Sequence, residues 1–159
     1  RRHSHNEGKN GDFPSSGLAA SLIGPRMLRG VGCDLVSVPR IAKALEQGGA
    51  RFIARILTPL ECAEYERRSA QSQKRGLSFL ASRFAVKEAF SKALGTGVGG
   101  DFSFQDLSVL NDEKGAPRLV YSDRLNQWVQ QHSAVVKISL SDEEDMAMGM
   151  VVIDTAINN

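Results

Sequence analysis

Among 159 residues the chain has two cysteines, one tryptophan, two tyrosines and three histidines. Cys33 and Cys62 stand far apart and form no metal-ligand spacing, so they read as two reduced, partly buried thiols in a cytosolic, cytoplasmic setting. A single bridge between them stays open. His3 and His5 sit in a polar, unpatterned stretch, which gives a metal nothing rigid to bind. No apolar run approaches the length of a membrane span, so no membrane role is expected. The formal net charge is only +2, and the arginines are not interleaved with aromatics of the kind that stack bases; no nucleic-acid partner is expected. There is no internal repeat and no low-complexity run in the folded part. The glycine cluster Gly95–Gly100 follows a helix instead of preceding one, which excludes a phosphate-binding P-loop.

What is present is one domain's worth of ordinary globular sequence, 42% hydrophobic and 24% charged. Residues 1–17 are polar and glycine-rich without periodicity, LAASLIG at 18–24 is a short apolar patch, and residues 1–26 are expected to be a disordered N-terminal extension. The compact charged region and longer apolar core of a signal peptide are missing there. Residues 27–159 form the expected single domain, with Met27 a candidate native start.

Leu28–Val36 alternates as a strand, with Val31, Cys33 and Leu35 on the face expected to be packed. Gly30, Gly32 and Asp34 fall on the other, nearly bare around one carboxylate. Ser37 caps a helix to about Gln47, and Gly48-Gly49 stops it. Arg51–Leu57 is a short helical stretch. Thr58-Pro59-Leu60-Glu61 is a capping box with proline at the first helical position, opening a helix to about Arg68. Residues 69–75 are polar and read as a loop or a helix entry. Leu77–Leu94 is a long helix, apolar on two sides and therefore expected to lie buried between layers. Phe102–Leu110 and Pro117–Tyr121 read as strands around a turn, Ser122–His132 as an amphipathic helix, and Ala134–Leu140 and Ala147–Ile153 as strands joined by the acidic SDEED turn. Helices early and strands late predict an α+β fold with a mainly antiparallel sheet.

One carboxylate is out of place. On a helical wheel Glu88 falls among Leu77, Leu80, Ala81 and Phe84. A carboxylate on an apolar stripe must be paired, neutralised or bound to a cation. Lys92, one turn on, offers an i,i+4 pair. The alternative is that Glu88 meets Asp34, and two hard carboxylates with open positions suit Mg²⁺. Gly95–Gly100 serves either as a C-cap or as backbone that approaches a phosphate closely, with Lys87 and Lys92 nearby for charge. Arg40, Arg51 and Arg55, with Lys43, Arg67 and Arg68, form either a solvated face or a dock for an acidic macromolecule.

Together these pieces resemble the holo-acyl-carrier-protein synthases, the small bacterial 4′-phosphopantetheinyl transferases. GVGCDLV at Gly30–Val36 is similar to the family's first motif, and FLASRFAVKEAFSKALGTG at Phe79–Gly97 to its long second one. RFIARILTPLE at Arg51–Glu61 and GAPRL at Gly115–Leu119 also fit. The resemblance implies a 4′-phosphopantetheinyl transferase-like fold, a homotrimer with sites between subunits, and transfer of 4′-phosphopantetheine from coenzyme A to a serine of acyl carrier protein in fatty acid biosynthesis. It implies Asp34 and Glu88 as Mg²⁺ ligands and catalytic groups. Lys92, also catalytic, would lie on phosphate, with Lys87 as a second source of charge. Gly95, Thr96 and Gly97 would lie along the nucleotide, and Arg40, Arg51 and Arg55 would face the carrier protein. The general base stays open, with a metal-bound water the leading candidate because a cation lowers the pKa of water. Many relatives carry S-x-S-H or S-x-T-H on the penultimate strand. Here Ser139-Leu-Ser-Asp142-Glu143 stands instead, and Asp142 is either an acid of the SDEED turn or a group that orients a water or coenzyme A. A broader transferase serving secondary metabolism, or a non-catalytic anion-binding scaffold of the same fold, are the alternatives.

Overall fold

The computed structural model describes residues 24–95 and 102–157. In chain order these form β1 (Arg26–Ser37), α1 (Val38–Ile56), α2 (Pro59–Gln71), α3 (Gln73–Leu94), a 3-10 turn at Phe104–Asp106, β2 (Leu107–Asn111), β3 (Pro117–Tyr121), α4 (Asp123–Gln131), β4 (Val135–Asp142) and β5 (Met146–Ala156). The class is α+β. The strands divide into a three-stranded antiparallel sheet, ordered β1-β5-β4, and a separate antiparallel β2-β3 pair. Among the described residues no helix is long and apolar enough to cross a membrane.

Local chemistry explains most element ends. Ser37 caps α1 by accepting from the Arg40 amide, and α1 breaks where Gly49 adopts φ 56° and ψ −138°. A residue with a Cβ would be strained at that φ, so the paired glycines set the kink. Thr58 and Glu61 form the capping box of α2. α2 runs on to Gln71, and Ser72 alone separates it from α3, whose Arg75 amide Ser72 caps. The segment 69–75 is therefore helical apart from that joint. Phe102–Leu110 is not one strand. Ser103 and Asp106 cap each other's backbone amides, which winds Phe104–Asp106 into a 3-10 turn before β2 begins.

Two sequence expectations are corrected here. The fold begins before Met27: Arg26 is already in β1, and its guanidinium grips Asp154 and the Ser133 carbonyl. Residues 1–23 of the expected extension lie outside the described residues. The faces of β1 are also reversed. Gly32 is packed against α3, whereas Val31 and Leu35 are 51% and 63% exposed and Cys33 is also exposed. The reason is backbone packing. A Cβ on Gly30 would meet the Ala93 carbonyl oxygen at 1.9 Å, and one on Gly32 would meet that of Ala89 at 1.8 Å. On β5, a Cβ on Gly149 would meet the Val86 amide nitrogen at 2.6 Å. Three bare positions let α3 lie directly on the sheet. The side chains opposite them, with Met148 and Met150 of β5, form an open apolar face.

The core fills the space around α3. Phe79, Leu80, Ala85, Val86, Ala89 and Phe90 of that helix pack with Phe102, Leu107 and Val109 and with Val151 and Ile153 of β5. Side chains at these positions lose nearly all solvent contact, at roughly 25 cal/mol for each Å² of apolar surface removed from water.

Candidate active site

The close packing of β1 on α3 brings two carboxylates to one place. Asp34 lies two residues beyond Gly32, and Glu88 immediately precedes Ala89. Both line a cavity of about 360 Å³, together with Arg40, Phe52 and Phe84. Glu88 is half-buried, and its pKa is raised from the ordinary 4.5, first by burial and then by the negative charge of Asp34; Lys92 acts in the opposite direction. Lys92 does not satisfy Glu88 as a helical pair. Its Nζ reaches across to Asp34 Oδ1 at 3.0 Å and to the Cys33 carbonyl at 3.0 Å. Lys92 is 54% exposed, and its hydrogen bond to Asp34 raises its pKa, so it remains cationic.

The donor set fits a hard cation. Asp34 Oδ1 accepts from the Lys92 ammonium, and Glu88 is destabilised as an anion by burial and by its acidic neighbour. A divalent ion between two such carboxylates relieves both effects, and two ligands leave coordination positions for water and phosphate. The described residues contain no group of three or more acidic, histidine or cysteine side chains suited to a metal.

A second cavity, of about 600 Å³, adjoins the first and shares Phe52, Phe84 and Glu88. Arg55, Phe104 and Gln105 form its other side. Arg40 and Arg55 thus flank the two cavities, while Arg51 is exposed and lines neither. Gly95 is the left-handed C-cap of α3, with φ 76°. Thr96 and Gly97 lie outside the described residues. Asp142 is exposed at the end of β4, opposite Ala147, and lines neither cavity within one chain.

Lys87 requires correction. Expected near phosphate as a charge source, it is wholly buried and ion-paired with Glu61, and it donates to the Ile56 carbonyl at 2.7 Å and the Phe104 carbonyl at 3.0 Å. Burial lowers its pKa while Glu61 opposes the shift. An ammonium with all its protons engaged inside the core has none left for a substrate. Arg83, one turn earlier, is also buried. It stacks on Phe79, donates to the Val109 carbonyl and the Asn111 side chain, and is lowered by burial to about 10. A signal for both was present in the sequence: at i,i+4 spacing from Phe79, Arg83 and Lys87 continue the second apolar side of α3.

Sequence and fold together match one protein class. Residues 30–150 fit the model of the 4′-phosphopantetheinyl transferase superfamily, and the chain belongs to that family. A holo-[acyl-carrier-protein] synthase of Paraburkholderia phymatum is 41% identical over 126 residues, covering 79% of this chain and 93% of that protein. The crystal structure of the holo-[acyl-carrier-protein] synthase of Neisseria meningitidis superposes with a TM-score of 0.71 at 40% identity, over 80% of this chain and 98% of the other. That of Bacillus anthracis, solved in complex with coenzyme A (3′,5′-ADP), gives a TM-score of 0.67 at 35% identity, over 82% and 99%.

Proposed function

We propose that this chain is a holo-[acyl-carrier-protein] synthase. It moves 4′-phosphopantetheine from coenzyme A to a serine of apo acyl carrier protein in fatty acid biosynthesis. The observation that carries the reading is the convergence of Asp34 and Glu88, from the two family motifs, on one cavity beside Lys92.

In the reaction, the serine Oγ bonds to the β-phosphorus of coenzyme A. The bond from that phosphorus to the bridging oxygen breaks, adenosine 3′,5′-bisphosphate leaves, and the serine proton passes to solvent. Phosphoryl transfer depends on in-line placement and on neutralising the non-bridging oxygens. Asp34 and Glu88 would hold Mg²⁺, which when bound would supply positive charge to the pyrophosphate. Lys92, on a long exposed side chain, releases Asp34 and meets phosphate oxygens. Gly95, Thr96 and Gly97 offer backbone to the nucleotide. Arg40, Arg51 and Arg55 orient the acidic carrier protein, supported by the exposure of all three and by the place of Arg40 and Arg55 at the two cavities.

The functional unit is a homotrimer. The open apolar face of β1 and β5, with Leu35 at 63% and Met150 at 41% exposure, supports a subunit interface there. Asp142, which lines neither cavity of its own chain, then reaches coenzyme A from a neighbouring copy. The two free cysteines fit a cytoplasmic setting.

The test is intact-mass spectrometry of an apo acyl carrier protein incubated with the chain, coenzyme A and Mg²⁺. A gain of one phosphopantetheine that EDTA abolishes is expected. No gain with several apo carriers would refute the reaction and favour a non-catalytic scaffold.

A further inference from the structure

The Lys87–Glu61 pair lies where its own stability cannot explain it. Both side chains have no solvent exposure. Replacing a buried ion pair by apolar residues is often neutral or stabilising. What this pair supplies is fixed geometry. The Glu61 carboxylate accepts from the Thr58 amide at the start of α2 and from the Val109 amide of β2, each at 2.9 Å. The Lys87 ammonium spends its donors on Glu61, on Ile56 at the end of α1, and on Phe104 in the 3-10 turn. From the outside, Gln105 fastens the same junction: its Nε2 donates to the Ala54 carbonyl at 2.7 Å and the Leu57 carbonyl at 3.0 Å. Helices α1 and α2, the 3-10 turn and β2 thus meet at one buried ion pair, one residue before Glu88.

The parts so fastened are the walls of the second cavity. Ala54, Arg55, Ile56, Phe104 and Gln105 all line it, and Glu88 and Phe84 close its near side. The other end of α1 lies beyond the Gly49 kink, so its C-terminal half takes its position from these clasps more than from helix continuity.

We propose that Lys87 is a positioning residue for the carrier protein. It holds the Arg55-bearing end of α1 and the 3-10 turn at a set distance from Glu88, and Gln105 does the same from the surface. The inference rests on the phosphopantetheinyl-transfer reading for its kinetic consequence, but the clasp itself is testable without it.

The variant Glu61→Gln/Lys87→Met removes the buried charges together and leaves no lone ion. Checked as folded by circular dichroism, it should bind coenzyme A with unchanged Kd and show a KM for carrier protein raised roughly tenfold, the loss expected for one misplaced docking charge. That increase should shrink toward none in an Arg55→Glu background. Amide hydrogen exchange should accelerate at residues 52–57 and 102–106 and stay slow along α3. A folded variant with unchanged carrier KM, with equal loss toward both substrates, or with unchanged exchange in those two segments overturns the proposal. If the double variant does not fold, Gln105→Ala, on the surface, carries the same readouts, and the same results support or overturn the proposal. Should the wild type transfer nothing, the reaction reading has failed, and the exchange pattern alone decides the clasp. An Arg55→Glu enzyme with unaltered carrier KM, beside a double variant whose carrier KM rises, removes the docking role of Arg55 and leaves the clasp standing.

Discussion

Gly32→Ala tests how the site is built more sharply than removal of a carboxylate does. A Cβ there would stand 1.8 Å from the Ala89 carbonyl oxygen and 2.7 Å from the carbonyl carbon. Both are backbone atoms within α3, so no rotamer change relieves them. Ordinary contact begins at 3.4 Å, so β1 and α3 must part locally by roughly 1.5 Å in an interior that is close-packed. Overpacking of this kind costs about 1–3 kcal/mol. The reduced freedom of the unfolded chain returns about 0.4–1 kcal/mol. The variant should therefore fold, with Tm lowered by several degrees. Activity should suffer far more. Asp34 is two residues along β1 and Glu88 adjoins Ala89, so the separation opens the acid pair itself. A misplacement of about 1 Å can cost on the order of 100-fold in rate, and kcat/KM for phosphopantetheine transfer should fall by about that factor. The assay is initial-rate transfer to apo carrier protein, with Tm read by differential scanning fluorimetry. Wild-type kcat/KM in a folded Gly32→Ala enzyme would refute the claim that backbone contact between β1 and α3 sets the site.

The remaining predictions concern charge and assembly. The proton on Glu88 is favoured in the fold, because its pKa is raised above the ordinary 4.5 by burial and Asp34. Its stabilising contribution is full below that ordinary value and is lost as pH rises through the raised one. In metal-free protein, Glu88→Gln should therefore gain Tm relative to wild type as pH increases over that window; a pH-independent difference would contradict the assignment. Charge reversal at Arg51 and Arg55 should raise KM for carrier protein more than for coenzyme A, and an equal effect on both would place docking elsewhere. Sedimentation should show a trimer for the wild type and a folded, smaller species for Leu35→Asp, whereas a fully active wild-type monomer would end the shared-site model.

Much of the fold was legible where local chemistry decides it. The Thr58–Glu61 capping box, the Gly48-Gly49 break and the SDEED turn all fall where residue types demand them. Alternation located β1 but assigned its faces the wrong way round. Pattern reading gives the core to the larger side chains, whereas here glycine admits a helix backbone and Val31 and Leu35 are left open. The reading of Phe102–Leu110 as a strand failed at Asp106, because its carboxylate caps Ser103 and bends the chain. The Asp34–Glu88 meeting could be posed from composition but needed the topology to bring β1 onto α3. Lys87 misled because a charge beside a carboxylate looks like part of the site, and its partner Glu61 was visible only as a helix cap.

The central claim is that Asp34 and Glu88 together hold a divalent cation for the pyrophosphate. The most direct measurement is calorimetric titration of Mg²⁺ into the chain saturated with coenzyme A. One binding event per chain should appear in the wild type and disappear in both Asp34→Asn and Glu88→Gln, while each variant keeps its fold. Equal Mg²⁺ binding in either variant would contradict the account.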